Sequence, residues 1–325
     1  MSQKRILITG GAGFIGSHLT ERLLSEGSEV TLLDDLSTGS RDNLGAFEDH
    51  PSLRIIEGTV SGFDGLQTVI SEVDFVFHLA AAVGVELVVK SPVRTIETNI
   101  HETEVLLDAA CTKGTPVLLA STSEVYGKSA KDGFSEEDDL LIGPPHLGRW
   151  SYACSKLLDE FLGLAYHKEK NLPVIITRFF NTVGPRQTGK YGMVVPRFVE
   201  SALKGTSIRI HGDGNQTRCF CHVLDTVESL VRLMNTPSAI GEVFNIGSTH
   251  EITIRQLAEE VIRICDSMSD LEFIPYEQAY EAGFQDMLRR KPIVDKLEEF
   301  TGFRPERSLE RIIRDTADFL EASQD

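Results

Sequence analysis

A doubly wound, parallel α/β fold is predicted for this chain by three observations. Short apolar runs near residues 4–9, 29–33, 53–57, 74–79, 116–121 and 173–179 alternate with stretches of helical periodicity. The first run leads directly into a glycine-rich turn, Gly10-Gly11-Ala12-Gly13-Phe14-Ile15-Gly16. The second closes on an acidic pair, Asp34-Asp35. Alternating strand and helix builds a parallel sheet covered on both faces. Strand, glycine turn, helix, strand and acid, in that order, is the arrangement of a Rossmann-type dinucleotide site.

Each element has a local reason. Arg5-Ile6-Leu7-Ile8-Thr9 is a short apolar strand, and Phe14 to Leu24 carries apolar residues at helical spacing. Between them Gly10 permits the tight turn, Gly13 lets backbone N–H groups approach a pyrophosphate, and Gly16 allows close packing of helix on strand. Phe14 and Ile15, in the first helical turn, complete that cofactor-binding set. At the end of Glu29-Val30-Thr31-Leu32-Leu33, the Asp34 carboxylate can accept hydrogen bonds from ribose hydroxyls and repels a 2′-phosphate, which selects NAD over NADP. Beyond residue 180 the texture changes to Gly-, Pro- and Arg-rich connections with short strands near 208–210, 218–222 and 243–246 and helices near 193–204, 254–264 and 308–321. This reads as a Rossmann domain over 1–180 that carries the chemistry and a smaller C-terminal α/β substrate lobe over 181–325, with some exchange of chain between them.

Composition narrows the function classes. The chain has 325 residues, 41% apolar and 25% charged, enough for one large core or two unequal lobes. A net charge of −17 opposes a polyanion such as nucleic acid, so an anionic ligand must be held by a few local arginines and backbone amides. The longest apolar region, Val73 to Val89, is interrupted by Asp74, His78 and Glu86, and no signal peptide or membrane span is expected. Five cysteines form neither a paired framework nor a zinc spacing, which suits reduced thiols in a cytoplasm. Cys219 and Cys221 share one face of an alternating strand and read as small buried hydrophobes rather than as metal ligands with His222.

The chemical centre is set by spacing. Trp150 to Ala165 is helical by pattern, and Tyr152 and Lys156, four residues apart, share a face, so that the ammonium can stabilise a tyrosinate. Tyr152 is therefore a candidate base. Ser121-Thr122-Ser123-Glu124 follows the apolar strand Pro116 to Ala120, and the C-terminal ends of parallel strands line the ligand crevice. Two hydroxyls and a carboxylate are thereby directed toward the cofactor.

With these motifs the chain resembles the extended short-chain dehydrogenase/reductase family of NAD-dependent nucleotide-sugar enzymes. The likeness is carried by the glycine turn, Tyr152-Ala153-Cys154-Ser155-Lys156, His78-Leu79-Ala80-Ala81, Asn99, Arg178 through Arg186 and Gly212 through Arg218, in the family's order. The resemblance implies catalytic roles at Tyr152, Lys156 and Thr122, with Ser123 and Glu124 beside them. It implies cofactor contacts at Thr59, Val60, Leu79, Ala80, Ala81 and Asn99, and substrate contacts at Arg149, Asn181, Val195, Arg218 and Arg290. Thr59 departs from the pattern, since many relatives have Asp there for adenine. Glu124, Arg149 through Lys156, and Gly283 through Asp286 with Arg290-Lys291-Pro292 look like UDP-glucuronate decarboxylases. The implied product is UDP-xylose or a UDP-4-keto-pentose. A nucleotide-sugar 4-epimerase is the alternative, followed by a 4,6-dehydratase and a non-catalytic NAD-binding redox sensor. The family also implies a homodimer paired through helices near 94–112 and 149–167, although Leu106, Leu107, Ala110, Leu157, Phe161 and Leu164 could equally face the protein's own sheet.

Overall fold

The computed structural model of the chain describes residues 3–82, 91–189, 193–275, 287 and 289–322. Seven parallel strands form one sheet: β1 (Arg5–Thr9), β2 (Glu29–Asp34), β3 (Leu53–Glu57), β4 (Phe75–His78), β5 (Val117–Thr122), β6 (Val174–Phe179) and a last edge strand, Val243–Ile246, in the order Val243–Ile246, β6, β5, β4, β1, β2, β3. This is a Rossmann-type sheet, as the strand–helix alternation predicts. The two-residue period of β1 separates the two faces: Ile6 and Ile8 enter one apolar core with Leu19, Leu23 and Leu230, and Leu7 enters the other with Val76, Leu106 and Leu107. Burial of this kind contributes about 1.5–3 kcal/mol per fully covered aliphatic side chain, and both faces of the sheet are covered.

Among the helices that flank the sheet, α1 (Phe14–Ser25), α2 (Leu66–Glu72), α3 (Pro92–Cys111) and α4 (Trp150–Lys170) follow the strands in turn, and α1, α3 and α4 position the site. α4 stops where Asn171 adopts φ 56°, a left-handed cap. Leu106, Leu107 and Ala110 of α3 are fully buried against the chain's own sheet, and Leu164 packs against the same core, whereas Phe161 is 65% exposed. No helix among the described residues is long and apolar enough to cross a membrane.

The C-terminal elements hold a separate core, in which Val195, Phe198, Ile208, Ile210, Leu257, Val261, Ile312 and Ile313 come together. Two strand expectations change in detail. The run near 218–222 is two strands broken at Phe220: Thr217–Cys219 lies antiparallel to Glu251–Thr253, and Cys221–His222 lies parallel to Thr182–Val183. Cys219 and Cys221 are nevertheless both fully buried. The run near 243–246 joins the large sheet beside β6 instead of the small lobe, so the chain crosses back after residue 240.

His18 on α1 clips the two parts together through Nε2–H to the carbonyl of Pro185, 2.9 Å away. Burial pushes its pKa down to about 4, only partly opposed by that carbonyl. The folded value lies below the unfolded one, so the unfolded chain binds more protons between pH 6.5 and pH 4, and stability present at neutral pH is lost as the pH falls through that window. The stability difference between the protein and a His18→Gln variant should therefore shrink by about 2 kcal/mol from pH 7 to pH 5. Urea unfolding at the two pH values measures this, and a constant difference would contradict it.

Candidate active site

The glycine turn opens α1 at Gly13, where no side chain caps the helix. The amides of the first turn, Phe14 and Ile15 among them, thus have no intrahelical acceptor and form a ready anion site. A Cβ at Gly16 would sit 2.2 Å from the Gly10 carbonyl oxygen, so the helix can approach the turn this closely only with glycine there. Asp34, at the end of β2, is 7% exposed; its Oδ2 accepts the Ala12 N–H and its Oδ1 the Leu36 N–H, each at 2.9 Å. Burial pushes this carboxyl up from its ordinary pKa, and the two N–H groups oppose that. A helix end with orphan donors and a fixed carboxylate on the neighbouring strand fit the pyrophosphate and ribose of NAD.

The remaining predicted cofactor residues flank this cradle. After β4, Leu79 and Ala80 are tied back to β1 through the Thr9 carbonyl and hydroxyl at 3.1 and 3.3 Å, and Ala81 comes next with partial exposure. Asn99 on α3 is 2% exposed; its Oδ1 accepts the Ala82 N–H at 2.7 Å and its amide donates to Ser155 Oγ at 3.1 Å. Asn99 thus braces the loop after β4 to α4, the helix that carries Tyr152. Thr59 uses its hydroxyl to accept the Gly62 N–H at 2.9 Å, and the Val60 side chain is buried in the core, so only main-chain groups of Val60 face a ligand.

Thr122 is the last residue of β5, and its hydroxyl caps a single 3₁₀ turn, Ser123–Tyr126, by accepting the Glu124 N–H at 3.3 Å. That turn must end at Gly127, with φ 60°, because a Cβ there would lie 2.3 Å from the Leu141 carbonyl oxygen. Ser123 is 2% exposed. Ser121, one residue before Thr122, points to the opposite side of β5 and donates to the buried Glu160 at 2.5 Å. Glu160 also pairs with Arg178 at 2.7 Å, and Arg178 with the Tyr126 hydroxyl at 2.9 Å, which fixes the floor beneath the turn.

The Thr122 hydroxyl lies close enough to the Tyr152 phenol to favour its ionised form. Tyr152 keeps some exposure, yet it lies deep enough that burial raises its pKa well above the usual tyrosine value; the carboxylates of Glu124 and then Asp159 raise it further, and the Thr122 contact opposes them. Lys156, on the same face of α4, is 3% exposed and donates to Asp159 Oδ2 at 2.7 Å.

Glu124 gathers two arginines from distant parts of the chain. Arg290 Nη1 donates to Glu124 Oε1 at 3.3 Å, and Arg149 Nη2 stands 3.9 Å from the same oxygen. Arg149 sits at the N-cap of α4, where the helix dipole disfavours a cation, and stacks over the Trp150 ring at 5.7 Å. Arg290 is held from behind: Lys291 and Ile293 exchange main-chain hydrogen bonds with Phe134, both 2.8 Å. Asn245 donates to the Phe134 carbonyl at 2.9 Å, and Arg289 binds Glu251 at 2.5 Å and also pairs with Asp132.

In the small lobe the Asn181 amide donates to the Cys219 carbonyl at 3.0 Å, and Arg218, 8% exposed, donates to the Thr217 carbonyl at 2.7 Å. The Val195 side chain is fully buried in the small-lobe core with Val199 and Phe198, because the apolar stripe of the helix Val194–Leu203 faces that core, so a substrate contact at this residue would use its main chain. Gly283 through Asp286 lie outside the described residues. Sequence reasoning misses Asp159 and Glu160, although their spacing of three and four residues from Lys156 puts them on its face.

A family model described as the NAD dependent epimerase/dehydratase family matches residues 6–247. A UDP-N-acetyl-alpha-D-glucosaminuronate decarboxylase of Bacillus cytotoxicus is 41% identical, over 97% of each chain. The UDP-glucuronic acid decarboxylase 1 of Danio rerio is 36% identical, over 98% of this chain and 73% of that one. The solved UDP-glucuronic acid 4-epimerase of Bacillus cereus, in complex with UDP-glucuronic acid and NAD, is 29% identical and superposes with a TM-score of 0.87, over 98% of this chain and 99% of that one.

Proposed function

The chain belongs to the NAD-dependent epimerase/dehydratase family, and we propose that it is an NAD-dependent decarboxylase of a UDP-linked hexuronate, with UDP-glucuronate as the first substrate to consider. One observation carries the reading: Arg149 and Arg290, far apart in sequence, converge on the Glu124 carboxylate, and Glu124 acts on the phenol of Tyr152. Hydride return alone, as in a 4-epimerase, needs no such cluster.

When bound, NAD supplies hydride acceptance and return at the sugar C4. Tyr152 takes the proton of the C4 hydroxyl, with the Thr122 hydroxyl nearby favouring the ionised phenol. Once C4 is a ketone the C5 carboxylate is β to a carbonyl, and the electrons released with CO₂ form an enolate that Thr122 and Tyr152 stabilise by hydrogen bonding. Glu124 and Ser123 manage the proton that arrives at C5. Arg149 and Arg290 orient the substrate carboxylate, and because they are shared with Glu124 they hold it loosely. Loose binding suits the reaction, since strong stabilisation of the charged ground state raises the barrier to losing CO₂. Asn181 and Arg218 would meet the diphosphate.

A second reading keeps the chemistry and changes the sugar to a 2-acetamido hexuronate. The 41% identity to the Bacillus cytotoxicus relative favours it. Incubation with catalytic NAD and, in parallel, UDP-glucuronate, its 2-acetamido counterpart and UDP-glucose, followed by NMR of the anomeric protons, tests both. A UDP-pentose or 4-keto pentose is the expected product from a hexuronate. A C4 epimer without loss of CO₂ would overturn the decarboxylase reading.

We place the reaction in the cytoplasm, a reading supported by five cysteines free of disulfides. The protein works as a homodimer paired through α3 and α4. Val93 and Ile96 on α3 and Leu158 and Phe161 on α4 are 66, 38, 52 and 65% exposed, on two helices that pack against each other. Phe161→Glu should weaken the dimer by about 10–100-fold, since one large apolar contact per protomer is worth about 1.5–3 kcal/mol. Sedimentation over a concentration series reads this, and an unmodified protein that sediments as a monomer would refute the pairing.

A further inference from the structure

Lys156 is expected to lend its charge to Tyr152, yet its ammonium is engaged elsewhere. It donates to Asp159 Oδ2 at 2.7 Å, one turn further along α4, and the two side chains are 3% and 2% exposed. The Thr103 hydroxyl approaches the same carboxylate, but its proton goes to the Asn99 carbonyl at 2.9 Å. Asp159 Oδ1 is left buried without a donor. A buried carboxylate with one oxygen unsatisfied is costly and depends on its single cation.

We propose that Asp159 is a positioning residue for Lys156: it holds the ammonium of the resting chain and sets how much of that charge reaches the Tyr152 phenol. The proposal rests on the reading of Tyr152 as the proton-transferring group. The groups around this pair are few. On α4 itself, Glu160 is taken up by Arg178 and Ser121. From β4, His78 is neutral, its pKa pushed down to about 3 by burial and then by Lys156, and it bridges Thr9 and Thr103 at 2.8 and 3.2 Å. From the 3₁₀ turn, Glu124 faces Tyr152 but is shared with Arg149 and Arg290. Asp159 is thus the carboxylate through which the Lys156 charge is diverted.

Asp159→Asn removes the negative charge and keeps the shape. Its first readout needs neither cofactor nor substrate: fluorotyrosine incorporated at position 152 titrates at a lower pH than tyrosine, and ¹⁹F NMR follows it. The midpoint should fall by about one pH unit in Asp159→Asn relative to the wild-type background. A base with a lower pKa is deprotonated at lower pH, so the acidic limb of the kcat profile should move down by a similar amount. Asp159→Glu, which keeps the charge, should restore both. An unmoved midpoint in a folded Asp159→Asn protein would overturn the proposal. Should that variant fail to fold, the double variant Lys156→Met, Asp159→Leu replaces the buried pair with apolar groups. Its midpoint should stay at or below that of the wild-type background, and a rise would show that Lys156 already acts on Tyr152. The ¹⁹F midpoint is independent of the sugar, so failure of the decarboxylase reading would show only in the products.

Discussion

Replacing Tyr152 with phenylalanine lowers kcat by about 10²–10⁴-fold and leaves the affinity for the UDP-sugar within about threefold. The phenol faces Thr122 at the end of β5, and the ring without its oxygen keeps the packing. The affinity survives because the diphosphate is expected to meet Asn181 and Arg218 in the small lobe, anchored through the Cys219 and Thr217 carbonyls and not through Tyr152. Tyr152→Phe also abolishes the titration at position 152 that limits turnover at low pH. Rates and binding are read by anomeric-proton NMR and by calorimetry with UDP-glucuronate. A variant that keeps more than about a tenth of the wild-type kcat would remove Tyr152 from proton transfer.

How much of this site is legible in the sequence depends on whether a residue's role is set locally. The glycine turn, Asp34 and the Tyr152–Lys156 pair are readable because a turn, a strand end and one helical turn fix their neighbours within a few residues. Ser121 and Thr122 show the limit. A strand alternates its side chains, so placing the end of β5 one residue later sends Ser121 to Glu160 and Thr122 to Tyr152. The strand Val243–Ile246 has no local mark that says which sheet it joins, and its place beside β6 comes from long-range packing of Phe244 and Ile246 against the core of the large sheet. Val195 is found by resemblance alone, and the apolar stripe of its helix decides that its side chain faces the small-lobe core. Arg149 and Arg290 are found by resemblance alone. Their meeting at one carboxylate is a property of the fold, since 141 residues separate them and the strap behind Arg290 is fastened to Phe134 by main-chain hydrogen bonds.

Glu124→Gln distinguishes the decarboxylase from an epimerase most sharply, because it should lower KM and kcat together. In the folded protein Glu124 occupies the two guanidiniums that a substrate carboxylate must use, at 3.3 Å from Arg290 and 3.9 Å from Arg149. Removing its charge ends the competition between Glu124 and the hexuronate carboxylate for these two guanidiniums, which are 12% and 7% exposed. Tighter ground-state binding should reduce KM by about tenfold, and the same stabilisation is lost as the carboxylate leaves, which slows the step. The glutamine also cannot manage the proton at C5, so kcat should fall by about 10²-fold or more. Arg290→Ala should act in the opposite sense on binding, raising KM for a hexuronate and leaving that for an uncharged UDP-hexose unchanged. An epimerase returns hydride to C4 and moves no proton at C5, so in that enzyme Glu124→Gln would leave turnover within about twofold. Steady-state kinetics of the two variants with UDP-glucuronate therefore decide the matter by the sign of the KM change as well as by the size of the kcat change.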